Sequence, residues 1–115
     1  MKVPHAEQAL VERKKIREYL LNRDHPDNGG KAEFFAQLGF TADDWITLAA
    51  ALRFLAKQSE VSKSVESKHG SKYIVDGVIE NPRHRRARVR TVWIADTGET
   101  IPRLVTVYLG WNDHD

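Results

Sequence analysis

Cysteine is absent from the 115 residues, which excludes a disulfide framework, a thiolate metal site and a thiol nucleophile. A cysteine-free chain gives no sign of an oxidising compartment, and cytoplasm is the default expectation. Long hydrophobic runs are missing too. No stretch approaches the roughly 20 apolar residues of a membrane span, and Met1-Lys2-Val3-Pro4 leads into His5, Glu7 and Gln8 rather than an apolar signal segment. Glycine is sparse, and Gly29-Gly30 has neither a preceding strand nor a following Lys-Ser/Thr pair, so no phosphate-cradling loop is present. The five histidines, His5, His25, His69, His84 and His114, are dispersed with no pair one helical turn apart, which disfavours a metal site. No serine occupies the strand-to-helix elbow that a Ser-His-Asp site needs. Internal repeats, linkers and low-complexity tracts are lacking, and no cofactor is implied.

What is present suits one compact domain over 1–115. Three Trp, four Phe and three Tyr supply core anchors, and 30% of the residues are charged. Leu10, Ile16, Tyr19 and Leu20 recur at helical spacing and predict an amphipathic helix over about Ala6 to Leu21, ending before His25-Pro26. Lys31 to Leu38 predicts a short helix closed by Gly39. Thr41 with Asp44 forms a variant capping box, with Phe40 and Trp45 at staple positions, ahead of a helix over about Ala42 to Lys57 with an apolar stripe of Trp45, Leu48, Ala49, Leu52 and Leu55. After Ser59 the period becomes alternating. Lys72 to Ile79, Arg86 to Ala95 and Arg103 to Leu109 predict strands, with Val61 to Val65 as a further edge strand and Asp96-Thr97-Gly98-Glu99 as a turn. The expected fold is α+β, three N-terminal helices packed on a three- or four-stranded antiparallel sheet.

The net charge is only +2, but it is unevenly placed. Arg83, Arg85, Arg86, Arg88 and Arg90 lie within ten residues, and alternation sets Arg86, Arg88 and Arg90 on one face of their strand, opposite Ala87, Val89, Thr91 and Trp93. Such a stripe suits phosphate, because guanidinium binds it bidentately, and crowded cations repel one another unless an anion lies nearby. RNA is the leading expected partner, and these five arginines are the expected nucleic-acid contacts. The competing reading is a solvated outer face that keeps a sheet soluble.

His25 is a candidate acid or base, with Lys31 beside it as an electrostatic partner; the alternative is an exposed histidine in a Pro-Asp-Asn-Gly turn. The tripeptide His25-Pro26-Asp27 after a basic helix is also that of J-domain co-chaperones, but those domains are all-helical, and half of this chain reads as strands.

Taken in order, Tyr19-Leu20-Leu21-Asn22, His25-Pro26, Gly30-Lys31-Ala32, Phe34-Phe35, Leu38-Gly39-Phe40, Trp45, Gly70-x-Lys72-Tyr73, Asn81-Pro82, Thr91-Val92-Trp93 and Pro102-Arg103-Leu104-Val105-Thr106-x-Tyr108 resemble a family of small bacterial proteins known as domain of unknown function 6883. The resemblance spans about residues 15 to 109 and implies a toxin with a neutralising antitoxin or immunity partner. More distantly, helices followed by an antiparallel sheet ending in Leu-Val-Thr-x-Tyr are similar to the ribonucleases and toxins grouped around barnase, EndoU, colicin nucleases and RelE-type toxins. That likeness implies metal-independent RNA cleavage by 2′-hydroxyl attack. For that chemistry the chain offers His25, Lys31, Lys72, Arg90, Thr91, Arg103, Thr106 and Tyr108, and the likeness implies His25 as acid or base, Arg90 and Arg103 on the phosphate, and Thr106, Tyr108 and Lys72 as positioning groups, with Lys31 beside them. Strict alternation, however, sets Arg103 and Thr106 on opposite faces, so joining them needs a bulge or a twist. Two other classes remain open: a non-catalytic RNA-binding or ribosome-associated domain, and a protein-interaction module of a toxin–antitoxin-like pair.

Overall fold

The change of period near Ser59 is the boundary between two kinds of structure. The computed structural model describes residues 1–22, 24, 30–81 and 85–109. Its helical elements come first, and a four-stranded antiparallel sheet follows in the order β1-β2-β3-β4, with strands Val61–Ser67, Gly70–Glu80, Arg86–Asp96 and Arg103–Leu109. The fold is thus α+β. Among the described residues no helix is long and apolar enough to cross a membrane.

Helix α1 (Lys31–Gln37) stops where Gly39 takes a left-handed φ of 99°. The side chain of Asn81, at the end of β2, donates Nδ2–H to the Leu38 carbonyl, and its Oδ1 accepts the Arg85 N–H at 3.0 Å. A buried asparagine therefore ties the end of α1 to the start of β3. Thr41 and Asp44 form the expected capping box, with Asp44 Oδ2 accepting the Thr41 N–H at 3.1 Å. Helix α2 (Trp45–Gln58) buries Leu48, Ala49, Leu52, Leu55 and Ala56 and lies across β2. Gly77 permits this approach, since a Cβ there would meet Leu55 Cδ1 at 3.1 Å. Gly70 has a stricter role. At φ 132° its missing Cβ would sit on the Ala95 carbonyl.

The predicted helix over Ala6 to Leu21 is not continuous. A single turn forms at Ala6–Gln8, and a wide helix of π type at Lys14–Leu20, where the Leu21 N–H reaches back five residues to the Ile16 carbonyl at 2.8 Å. Between them Leu10 runs parallel to β4, donating to the Pro102 carbonyl at 2.8 Å and accepting from the Leu104 N–H at 2.9 Å. An open sheet edge offers unpaired backbone groups, and pairing with them displaces helix here.

The core lies between the helices and one face of the sheet. Its largest fully buried members include Trp93, Phe35, Phe40, Ile16 and Leu20. Val75, Val89, Thr91, Trp93, Leu104 and Val107 turn inward from the strands, so the intervening residues form an outer face.

Candidate functional site

Register assembles the outer face in rows. Asp76 pairs with Arg90 and Arg90 with Tyr108; one row on, Ile74 pairs with Val92 and Val92 with Thr106; the next holds Lys72, Ile94 and Arg103. Rows two residues apart along a strand are separated by about 6.6 Å. An irregularity in β4, where Val92 pairs with Thr106 but its neighbour Trp93 pairs with Leu104, leaves Val105 as an extra residue. This bulge brings Arg103 onto the face of Thr106 and Tyr108, which unbroken alternation does not.

The chemistry concentrates on Lys31, the first residue of α1. Its ammonium donates to Thr106 Oγ1 at 2.9 Å and to Tyr19 Oη at 3.1 Å. It also faces the rings of Tyr19 at 5.2 Å and Tyr108 at 5.4 Å from their centroids. Three elements therefore converge on one cation: the wide helix through Tyr19, α1 through Lys31 and β4 through Thr106 and Tyr108. Lys15 adds a second positive charge 5.4 Å from the Tyr19 centroid, beside a groove of about 400 Å³.

The arginine stripe is partly neutralised by the chain itself. Arg90 grips Asp76 with two hydrogen bonds, at 2.7 and 3.0 Å, in the row of Tyr108. Arg103 grips Asp96 at 2.9 and 3.3 Å, and Arg86 contacts Glu80 at 3.4 Å. The hydrogen bond from Arg103 holds the Asp96 carboxyl below the ordinary carboxylate range, and the hydrogen bonds to Asp76 and Asp96 raise Arg90 and Arg103 respectively. Arg85 donates to the Gln37 carbonyl at 2.9 Å, and Arg88 is exposed. The repulsion that seemed to demand an external anion is thus met in part by Asp76, Glu80 and Asp96.

Of the sequence-predicted residues, Lys31, Thr106 and Tyr108 are in contact and Arg90 adjoins them. Arg103 and Lys72 share the face but lie one row beyond Thr106, and Lys72 is exposed. His25, the His25-Pro26-Asp27 tripeptide and Arg83 lie outside the described residues. Thr91 faces the core, fully buried, where its hydroxyl donates to the Val75 carbonyl at 2.9 Å and accepts from Trp93 Nε1 at 2.8 Å. Sequence reasoning missed Tyr19, taken only as an apolar helix position, because a wide helical turn and not sequence spacing aims it at Lys31. It also missed Asp76 and Asp96 as arginine partners. Among the described residues no group of three or more His, Asp or Glu side chains is placed to hold a metal ion.

These features define an α+β domain with a cationic, tyrosine-flanked centre on the open face of its sheet. The chain belongs to the family described as domain of unknown function (DUF6883), whose model matches residues 2–110. Among solved structures it is similar to a chain of the contact-dependent growth inhibition toxin–immunity protein complex from Klebsiella pneumoniae 342, with a TM-score of 0.73 over 93% of this chain and 97% of that chain, at 17% identity. At that identity the likeness is one of fold. No curated protein matches the chain.

Proposed function

We propose that the chain is a toxin-type ribonuclease that cleaves RNA without a metal ion, by attack of a ribose 2′-hydroxyl on the adjacent phosphodiester. The observation that carries this reading is the Lys31 ammonium, fixed by the Thr106 and Tyr19 hydroxyls on the sheet face that also bears the arginines. In the reaction the 2′-hydroxyl gives up its proton and its oxygen bonds to phosphorus, the 5′-oxygen departs and takes up a proton, and the products are a 2′,3′-cyclic phosphate and a 5′-hydroxyl. Negative charge grows on the non-bridging oxygens, and a preorganised cation stabilises it without reorganisation at the moment of reaction. Lys31 takes that role. Arg90, oriented by Asp76, and Arg103, oriented by Asp96, hold phosphates along the strand direction, with Lys72 at the far end of the track. Thr106 positions Lys31, Tyr108 offers a ring for a base to stack on, and His25 serves as the acid or base. The likeness to a chain of a toxin–immunity protein complex supports a toxin-associated role and an immunity protein as partner.

A second reading has its own support. The carboxylate partners of Arg86, Arg90 and Arg103 suit a protein-binding face, and the neighbour's complex contains both a toxin and the protein that neutralises it. Induced expression in a bacterial host separates the two, with growth and total RNA followed together. The ribonuclease reading expects growth arrest with RNA fragmentation, lost in Lys31→Ala and in His25→Ala at equal soluble yield. Normal growth with intact RNA at high soluble yield moves the protein-binding reading ahead.

A further inference from the structure

Helix α2 carries a second apolar stripe that its core packing does not use. Ile46 and Phe54 are 63% and 62% exposed, with exposed Ala50 midway between them. Asp43, in the turn that leads into α2, has a side chain 93% exposed and held only at 3.9 Å by Arg17, and Lys57 is exposed near the other end. At 100° per residue, Asp43, Ile46, Ala50, Phe54 and Lys57 all fall within about 40° of one line along the helix.

The order along that line is self-complementary. Ile46 and Phe54 are each four residues from Ala50, and Asp43 and Lys57 are each seven from it. A two-fold axis through Ala50 with the helices antiparallel therefore sets Ile46 of one copy against Phe54 of the other, and Asp43 against Lys57, with every contact made twice. The small side chain at the axis lets the helices approach closely. Beside Phe54, a groove of about 810 Å³ between α2 and the end of the β2–β3 hairpin is walled by Val78 and Ala87 with Glu80, Arg86 and Arg88, and it leaves the Phe54 flank of α2 open to a second helix.

We propose that the chain forms a two-fold symmetric dimer through antiparallel packing of α2 about Ala50. The charge pattern selects a second copy over other occupants. Asp43 near one end of the stripe and Lys57 near the other match the same stripe run in the opposite direction, which a second copy supplies. The proposal is independent of the ribonuclease reading, because its test measures association and not cleavage.

Sedimentation velocity of the full chain from about 1 to 200 µM is the test, with a weak dimer dissociating in the tens of micromolar expected for a patch of this size. Ala50→Glu, an exposed change, should be monomeric throughout. Asp43→Lys sets like charges together twice and should weaken association about tenfold, and adding Lys57→Asp should restore it to within about threefold of the original. Circular dichroism confirms that each variant is folded. A wild-type chain that stays monomeric at 200 µM overturns the proposal, as does an undiminished Ala50→Glu dimer or a double charge swap that fails to recover association. A monomer that binds single-stranded RNA through Phe54 would assign the stripe to nucleic acid and overturn it equally.

Discussion

Replacing Thr91 with valine keeps the shape of the side chain and removes one oxygen, yet it should be among the more damaging single changes in the sheet. The Thr91 hydroxyl is fully buried and serves two partners, donating to the Val75 carbonyl at 2.9 Å and accepting the Trp93 indole N–H at 2.8 Å. Valine leaves that N–H unsatisfied in the core, which costs about 1–3 kcal/mol, and forfeits the hydroxyl's own bond, worth about 1 kcal/mol net. The added methyl returns up to about 0.8 kcal/mol of apolar burial. The expected loss is about 2–3 kcal/mol, or roughly 10 °C in midpoint for a chain of this length. Urea titration followed by tryptophan fluorescence measures it, with an unchanged denaturant slope as the sign of an intact two-state transition. Thr91→Ser, which keeps both bonds, should lose only about 1 kcal/mol. In a Trp93→Phe background the valine change should cost about 1–2 kcal/mol less, since no indole N–H is left to orphan. A Thr91→Val protein within about 0.5 kcal/mol of wild type would refute the assignment of this network as structural.

Gly70→Ala should destabilise the protein by roughly 2–4 kcal/mol in the same titration, because φ 132° strains any side chain and the new methyl meets the Ala95 carbonyl. The Arg103 hydrogen bond holds the folded Asp96 carboxyl below its unfolded value. Its stabilisation is therefore present above the ordinary carboxylate pKa and lost as pH falls through the depressed folded value. Urea midpoints of wild type and Asp96→Asn should accordingly differ at neutral pH and converge in strong acid. Lys31→Met should lower RNA cleavage about 10²–10³-fold, the usual cost of removing one preorganised electrostatic donor, while costing about 1–3 kcal/mol of stability through its lost hydrogen bonds to Thr106 and Tyr19. Rate and urea titration are read on the same preparation.

Much of the scaffold was legible because its signals are local. The Thr41–Asp44 box, Gly39 and the α2 stripe each depend on neighbours within two turns, and the inward and outward residues of β2 and β3 follow from alternation. The hairpin also held an unread signal. Asp76 and Arg90, and Glu80 and Arg86, are symmetric about the β2–β3 connection, so register alone pairs them and removes part of the mutual repulsion expected of the stripe. Other features needed long-range contacts. Leu10 left its predicted helix for the edge of β4, the extra residue Val105 reversed the face of Arg103 relative to Thr106, and a wide helical turn aimed Tyr19 at Lys31 across 12 residues of sequence. None of these has a local marker, and the last two build the candidate site.

The central claim is tested most directly with purified protein, a short single-stranded RNA and its 2′-O-methyl counterpart, in buffer containing excess chelator. Cleavage of the RNA to products ending in 2′,3′-cyclic phosphate and 5′-hydroxyl, with the 2′-O-methyl strand left intact, is the predicted result. A folded protein that leaves RNA whole, cleaves only when a divalent metal is restored, or cuts the methylated strand equally well would contradict it.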